Sequence, residues 1–293
     1  MISMTWIPEF IRGAVWVYIA VWAGFTVAAW MVPKTLTRRG AALLLVTTAF
    51  GALPAYFALS IKQDNDEKRP IVEQRKAQYE AAMARFEERC KTAGEKVYRT
   101  VEDVEGVLLT NIRLNRTDAD RHDPDWPNAG LPTEHGGEEY IRNFLYWEQH
   151  EDKRTQRGFV NYSPSAFPGY RFVDVVADGG GYQRVTLVKP LSNELKREIV
   201  TGKPARFAVG FTNFVDPEDR KLWVAGTKVT ITDTFTNEVI AEKTWYSVEP
   251  GQGSKAGART PWGFAKTCPF QPGWSGASTR FFVDQILKPK KGE

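Results

Sequence analysis

The sequence predicts an α+β protein whose soluble domain is tethered to a membrane by an N-terminal helical hairpin, and three observations predict it. Two apolar runs open the chain, a stretch of charged helix formers follows them, and alternating segments rich in Val, Thr and aromatics fill the remainder. The expected segments are a transmembrane hairpin over 1–62, an amphipathic membrane-proximal helix over 63–95, and an antiparallel-sheet domain over 96–293.

The first run covers 11–32, where Arg12 at the edge and Tyr18 are the only ionisable groups, and the second covers 41–61 without a charge. At ~1.5 Å per residue each reaches ~30 Å, the thickness of a bilayer's hydrocarbon layer. A cleaved signal peptide would want a basic start and a short apolar core, whereas "MISMTWIPEF" has no Lys or Arg and the core is long. Trp6 and Trp30 bracket the run at the positions where indoles sit among headgroups. Small residues recur at four-residue spacing, Ala20, Gly24 and Ala28 on the first helix and Thr47, Gly51 and Ala55 on the second. That pattern predicts a close antiparallel hairpin, with homodimerisation through the first stripe as the alternative. Pro54 should kink the second helix. Asp, Glu, Lys, Arg and His inside a span mark ion and proton pathways, and the interiors of both runs lack them, so the pair reads as an anchor in the lipid bilayer.

The loop between the runs, "PKTLTRRG" over 33–40, carries Lys34, Arg38 and Arg39 and no acid. Short basic loops stay in the cytoplasm while long domains cross largely regardless of charge, which puts both termini and the large domain outside. The two cysteines, Cys90 and Cys268, bear on the same point. In an oxidising compartment they would close a loop of roughly 180 residues, contributing about 4 to 5 kcal/mol on a chain-entropy account. Two separate buried thiols are the other reading, and the count alone does not choose between them.

From "DEKRPIVEQRKAQYEAAMARFEERCKTAGE" we expect one amphipathic helix with Pro70 in its first turn. Val72, Tyr79, Phe86 and Ala93 recur every seven residues, a stripe that suits packing on the chain's own sheet. Beyond it, "KVYRTVEDVEGVLLTNIRL", "YRFVDVVADGGGYQRVTLVKP", "ARFAVGFTNF", "LWVAGTKVTITDT" and "EVIAEKTWYSV" read as strands, with hairpin turns at "ADGGGYQ" and "TFTNEV". Helices are expected at "EEYIRNFLYWEQ" and "STRFFVDQIL", and loop over 250–276.

Candidate chemistry is concentrated in "HDPDWPNAGLPTEHGGEEYIRNFLYWEQH", which holds His122, His135 and His150. "HGGEE" resembles the start of an H-x-x-E-H zinc helix, yet Glu139 stands where the second histidine belongs. His122, Asp123, His135 and Glu138 are the metal candidates, against the plainer reading that Glu138 and Glu139 complement a helix N-terminus. Asp118, Asp120, Asp123, Asp125 and Asn128 supply hard oxygen ligands, but without the glycine an EF-hand requires, so a solvated acidic loop is expected. "GWSGAS" approaches a nucleophile elbow, but Ala277 replaces the last glycine, which leaves Ser275 as a turn or cap residue. "DGGG" joins two strands instead of opening a helix, so no phosphate site and no cofactor is expected. A net charge of +4 is too small to imply nucleic acid. Aromatics facing solvent beside Arg or Lys would suit glycan or protein binding.

At "KVYRTVEDVEGVLL", "GGEEYIRNFLY", "GYRFVDVV" and "WVAGTKVTITDTFTNEVIAEKTWYSVEPGQGSKAGARTPWGFAKTCP" the chain resembles a group of proteobacterial membrane-anchored proteins to which no activity is assigned. The resemblance implies an inner-membrane setting with a periplasmic domain. The expectation is a binding module, either an accessory subunit of an envelope complex or an immunity-like protein with a protein partner. An envelope hydrolase using the region from His122 to Glu139 is the alternative.

Overall fold

The computed structural model describes residues 6–146, 169–188, 194–270 and 276–290. The chain divides into two compact units, Met1–Arg75 and Lys76–Glu293.

In the first unit, helix α1 (Trp6–Met31) turns sharply into helix α2 (Leu36–Cys90). Both pass the length and apolarity of a membrane span, over Gly13–Met31 and within the N-terminal part of α2. Aromatic rings fill their contact. The Tyr18 hydroxyl donates to the Phe50 carbonyl, and the rings of Tyr18 and Phe25 lie 5.7 and 5.5 Å from that of Phe50. The expected small-residue seam is not this contact: Ala20, Gly24, Ala28, Thr47, Gly51 and Ala55 are exposed, and a Cβ on Gly24 or Gly51 would meet nothing within 4 Å. Rings between two helices hold the backbones apart, so small residues gain nothing by facing inward.

The loop is also shorter than expected. Because α2 begins at Leu36, Arg38 and Arg39 belong to its first turns and Lys34 remains in the connection. Arg39 Nε donates to the Pro33 carbonyl (2.9 Å), which is left without a helical partner, and its guanidinium lies 5.6 Å from the Trp30 ring. Pro70 does not start a new helix, since α2 runs through both Pro54 and Pro70. The i,i+4 pair Asp64–Lys68 precedes Pro70 and the pair Arg69–Glu73 spans it.

The second unit is built on a sheet of β1 (Gly94–Val97), β3 (Gly106–Leu109), β4 (Phe172–Val176), β5 (Tyr182–Leu187), β6 (Leu195–Ile199), β7 (Phe207–Phe214), β8 (Val224–Asp233) and β9 (Glu238–Val248), in the order β1-β9-β8-β7-β3-β4-β5-β6. A short β10 (Lys266–Cys268) also lies on β9. A separate parallel pair joins β2 (Val101–Val104) to β11 (Leu287–Pro289). The sheet is therefore mixed, not antiparallel as expected: β3 runs parallel to both its neighbours, β4 and β7. A parallel partner needs a long crossover, and the connection from β3 to β4 contains helix α3 (Gly137–Tyr146). The clue lies in "GVLL", whose residues are all buried and which does not alternate, as befits a central parallel strand. Turns follow the glycines and Asn: Gly179, Gly180 and Gly181 all take positive φ between β4 and β5, and Asn237 does so between β8 and β9.

One sheet face carries Val107, Leu109, Val173, Val209, Val229, Ile231 and Trp245. It packs against Tyr140, Ile141 and Phe144 of α3 and Phe282, Val283 and Ile286 of helix α5 (Ser278–Ile286). At the other end Ala82 and Phe86 of α2 pack on Val224, Tyr246 and Val248, with Met83 and Cys90 beside them. Of the heptad stripe, Phe86 and Ala93 thus meet the chain's own sheet, whereas Val72 and Tyr79 stay exposed. The sulfurs of Cys90 and Cys268 are at bonding distance, 1.96 Å, with their Cα atoms 5.9 Å apart.

Candidate functional site

The four metal candidates each have other neighbours. His122 ends a 3₁₀ turn (Asp120–His122), its Nδ1 buried without a hydrogen-bond partner among the described residues. Asp123 accepts from the amide of Asp125 through its carboxylate (2.9 Å) and from Trp262 Nε1 through its carbonyl (2.7 Å). The His135 amide donates to the Gly276 carbonyl (2.8 Å). Glu138 pairs with Arg142 on α3 and with Arg197 on β6 (2.7 and 3.4 Å). Among the described residues no three His, Cys, Asp or Glu side chains gather as metal ligands. His150 and Ser275 lie outside the described residues. In the acidic loop, the carboxylate of Asp120 takes the amide and hydroxyl of Thr117 (2.6 and 2.9 Å), a local turn of the kind Asp favours.

The most unusual polar grouping lies where β3 leaves the sheet. Asn111 replaces the lost ladder with its carboxamide, donating to the Phe211 carbonyl (2.8 Å) and accepting from the Phe211 amide (3.0 Å). The chain then turns Arg113 inward. Its guanidinium is 1% exposed, stacks 4.2 Å from the Phe211 ring, and donates through Nη2 to Thr227 Oγ1 (3.2 Å). Nε and Nη1 have no hydrogen-bond partner among the described residues. Nearby, buried Glu134 accepts from the Thr279 amide (3.3 and 3.2 Å) in the first turn of α5. Burial pushes the Glu134 carboxyl up to about 7. The positive charge of Arg113 and the backbone donors of Thr279 and Ser278 pull the other way without overcoming it. The Tyr140 hydroxyl faces the same groups, and its burial likewise raises its pKa. A carboxyl poised near neutrality beside a helix N-terminus can take up or release a proton there.

Sequence reasoning passed over both residues. Arg113 stands near the end of "KVYRTVEDVEGVLLTNIRL", read above as strand with nothing to single out its arginine, and Glu134 stands beside the more conspicuous His135. Neither has a spacing that marks it, because the residues meeting them, Thr227 and Thr279, are over 100 positions away.

On the surface, aromatics stand beside cations at the β8–β9 turn. Phe235 is 61% exposed, with Lys203 Nζ and the Arg206 guanidinium 5.4 and 5.2 Å from its ring. Arg206 and Arg99 are held by the buried carboxylate of Asp233, which accepts from Arg206 Nε and Nη2 (2.9 and 2.7 Å) and from Arg99 Nη2 (2.8 Å). Those guanidinium groups keep the Asp233 carboxyl well below its usual range. Tyr98 and Val239, also exposed, lie on strand ends at this rim, the Tyr98 amide donating to the Ile240 carbonyl (3.0 Å).

A third charged grouping joins α2 to helix α4 (Pro217–Lys221). Arg85 Nε and Arg89 Nε donate to the two oxygens of Asp219 (2.5 and 2.8 Å), and Arg89 Nη2 donates to Asp216 (2.7 Å). Asp216 also caps α4 by accepting from the Glu218 amide (2.9 Å), which lowers its pKa together with the two arginines. No protein-family model, curated protein or solved structure matches this chain.

Proposed function

We propose that this protein is a binding module anchored in a bacterial inner membrane, with its second unit in the periplasm and a protein partner in the envelope. It would serve as an accessory subunit of an envelope complex or as an immunity-like protein. The observation that carries the reading is the exposure of apolar side chains along both N-terminal helices, including Trp16 at 67%, Leu44 at 70% and Phe57 at 55%. A core helix would bury such groups, whereas lipid accepts them. The Cys90–Cys268 pair fits an oxidising compartment, and the basic residues Lys34, Arg38 and Arg39 between the helices favour a cytoplasmic connection. Phe235 with Lys203, Arg206 and Tyr98 is the surface best suited to a protein partner, since exposed aromatics flanked by arginine are typical binding anchors.

Alkaline phosphatase fused after Glu293 should be active and a green fluorescent protein fusion at the same place dark; the reverse pattern overturns the topology. A photo-crosslinker at Phe235 in intact cells should give one discrete protein adduct. A chain that yields only lipid adducts or none would refute the binding surface.

A further inference from the structure

We infer that strand β6 joins two copies of this chain edge to edge, antiparallel, about a two-fold axis at Arg197. Among the described residues β6 ends the sheet, with β5 on one side and no strand on the other. Its ladder with β5 places Leu195 opposite Leu187 and Ile199 opposite Gln183. The bonds that flank this ladder, Val188 N–H to the Glu194 carbonyl (3.0 Å) and Val200 N–H to the Tyr182 carbonyl (2.9 Å), fix which main-chain groups face inward. Alternation then turns the N–H and C=O groups of Leu195, Arg197 and Ile199 outward, unpaired within the sheet.

These outward groups are evenly spaced about Arg197, so a second β6 running antiparallel matches them to themselves. Leu195 stands opposite the other copy's Ile199, and Arg197 opposite its own counterpart. The same register sets Lys196, which lies 2.6 Å from Glu198 of its own strand, across from the other copy's Glu198 twice, so that the charges alternate in sign on each side of the axis. Sliding by one ladder step either way would instead oppose Lys196 to Lys196 or Glu198 to Glu198, which like charges disfavour. Ile199, 81% exposed, gains apolar cover from Leu195 of the second copy. Arg197 meets its counterpart with its charge already shared by Glu138 at 3.4 Å.

Single cysteines in the full chain, kept in its membrane and mildly oxidised, test the register by non-reducing electrophoresis. In a hydrogen-bonded antiparallel pair the Cα atoms lie ~5.5 Å apart, within disulfide range. Arg197→Cys should therefore dimerise several-fold more than Lys196→Cys or Glu198→Cys alone, while the latter two co-expressed should crosslink to each other. Arg197→Pro removes an outward N–H and leaves the β5 ladder intact. It should abolish co-purification of two differently tagged copies while unfolding at the midpoint of Arg197→Ala, which loses the same Glu138 pair but keeps the N–H and should still associate. Equal crosslinking at 196 and 197, or wild-type association of the proline variant at the midpoint of Arg197→Ala, would overturn the proposal; the latter result would assign association to another surface such as the membrane helices.

Discussion

The second unit buries charge in two ways, and the contrast between them is instructive. Where α2 meets α4, Asp219 is almost wholly buried yet receives two guanidinium groups directly, and the Cys90–Cys268 pair lies at the end of the same helix. Where β3 leaves the sheet, Glu134 is equally buried but receives the Thr279 amide instead of a guanidinium, and Arg113, whose charge acts on it, donates to Thr227. Direct pairing compensates the lost hydration of a carboxylate, whereas two amides and an offset charge do so incompletely. The first junction is a fixed attachment and the second is sensitive to pH.

The largest change should follow breaking the fixed junction covalently. Cys268→Ser is expected to lose about 4 kcal/mol of stability in urea titration, given the long loop that the bond closes, and its electrophoretic mobility should no longer change on reduction. Next comes the pH-sensitive site. The folded pKa of Glu134 is raised, so the folded chain keeps a proton that the unfolded chain releases. Stability should fall as pH rises from about 4.5 to about 7, by on the order of 3 kcal/mol, and level off above. Glu134→Gln should flatten that profile; a wild-type profile without slope in this window would refute the contrast. Asp219→Ala should cost about 2 to 3 kcal/mol, at the low end for a broken buried pair because Arg85 and Arg89 keep roughly a quarter of their surface in water. The smallest effect is expected at Asp216→Asn, which keeps a cap but loses the charge. Its deficit should be visible at pH 6 and close as pH falls below the ordinary aspartate value of 3.8, because the folded pKa is lowered.

Elements with a local signature could be read directly. The apolar runs, the heptad stripe on α2, the glycine turn after β4 and the "TFTNEV" turn each depend on residues close together in sequence. The parallel placement of β3 was visible only as an unbroken apolar "GVLL", a signal shared with buried helices and easily passed over. The polar interior was not legible at all. Arg113 and Glu134 look like any surface charges until Thr227 and Thr279 arrive from more than 100 residues away.

By itself the sequence determined the class of each segment, because helix and strand periodicity, turn glycines and bilayer-length apolarity are set by neighbouring side chains. Only the tertiary structure decided which faces meet. It put aromatic rings instead of Gly24 and Gly51 between α1 and α2, made the sheet mixed, placed β6 last among the described strands, and enclosed Glu134 against α5. Those outcomes depend on packing volume and desolvation among residues distant along the chain, which no local pattern records.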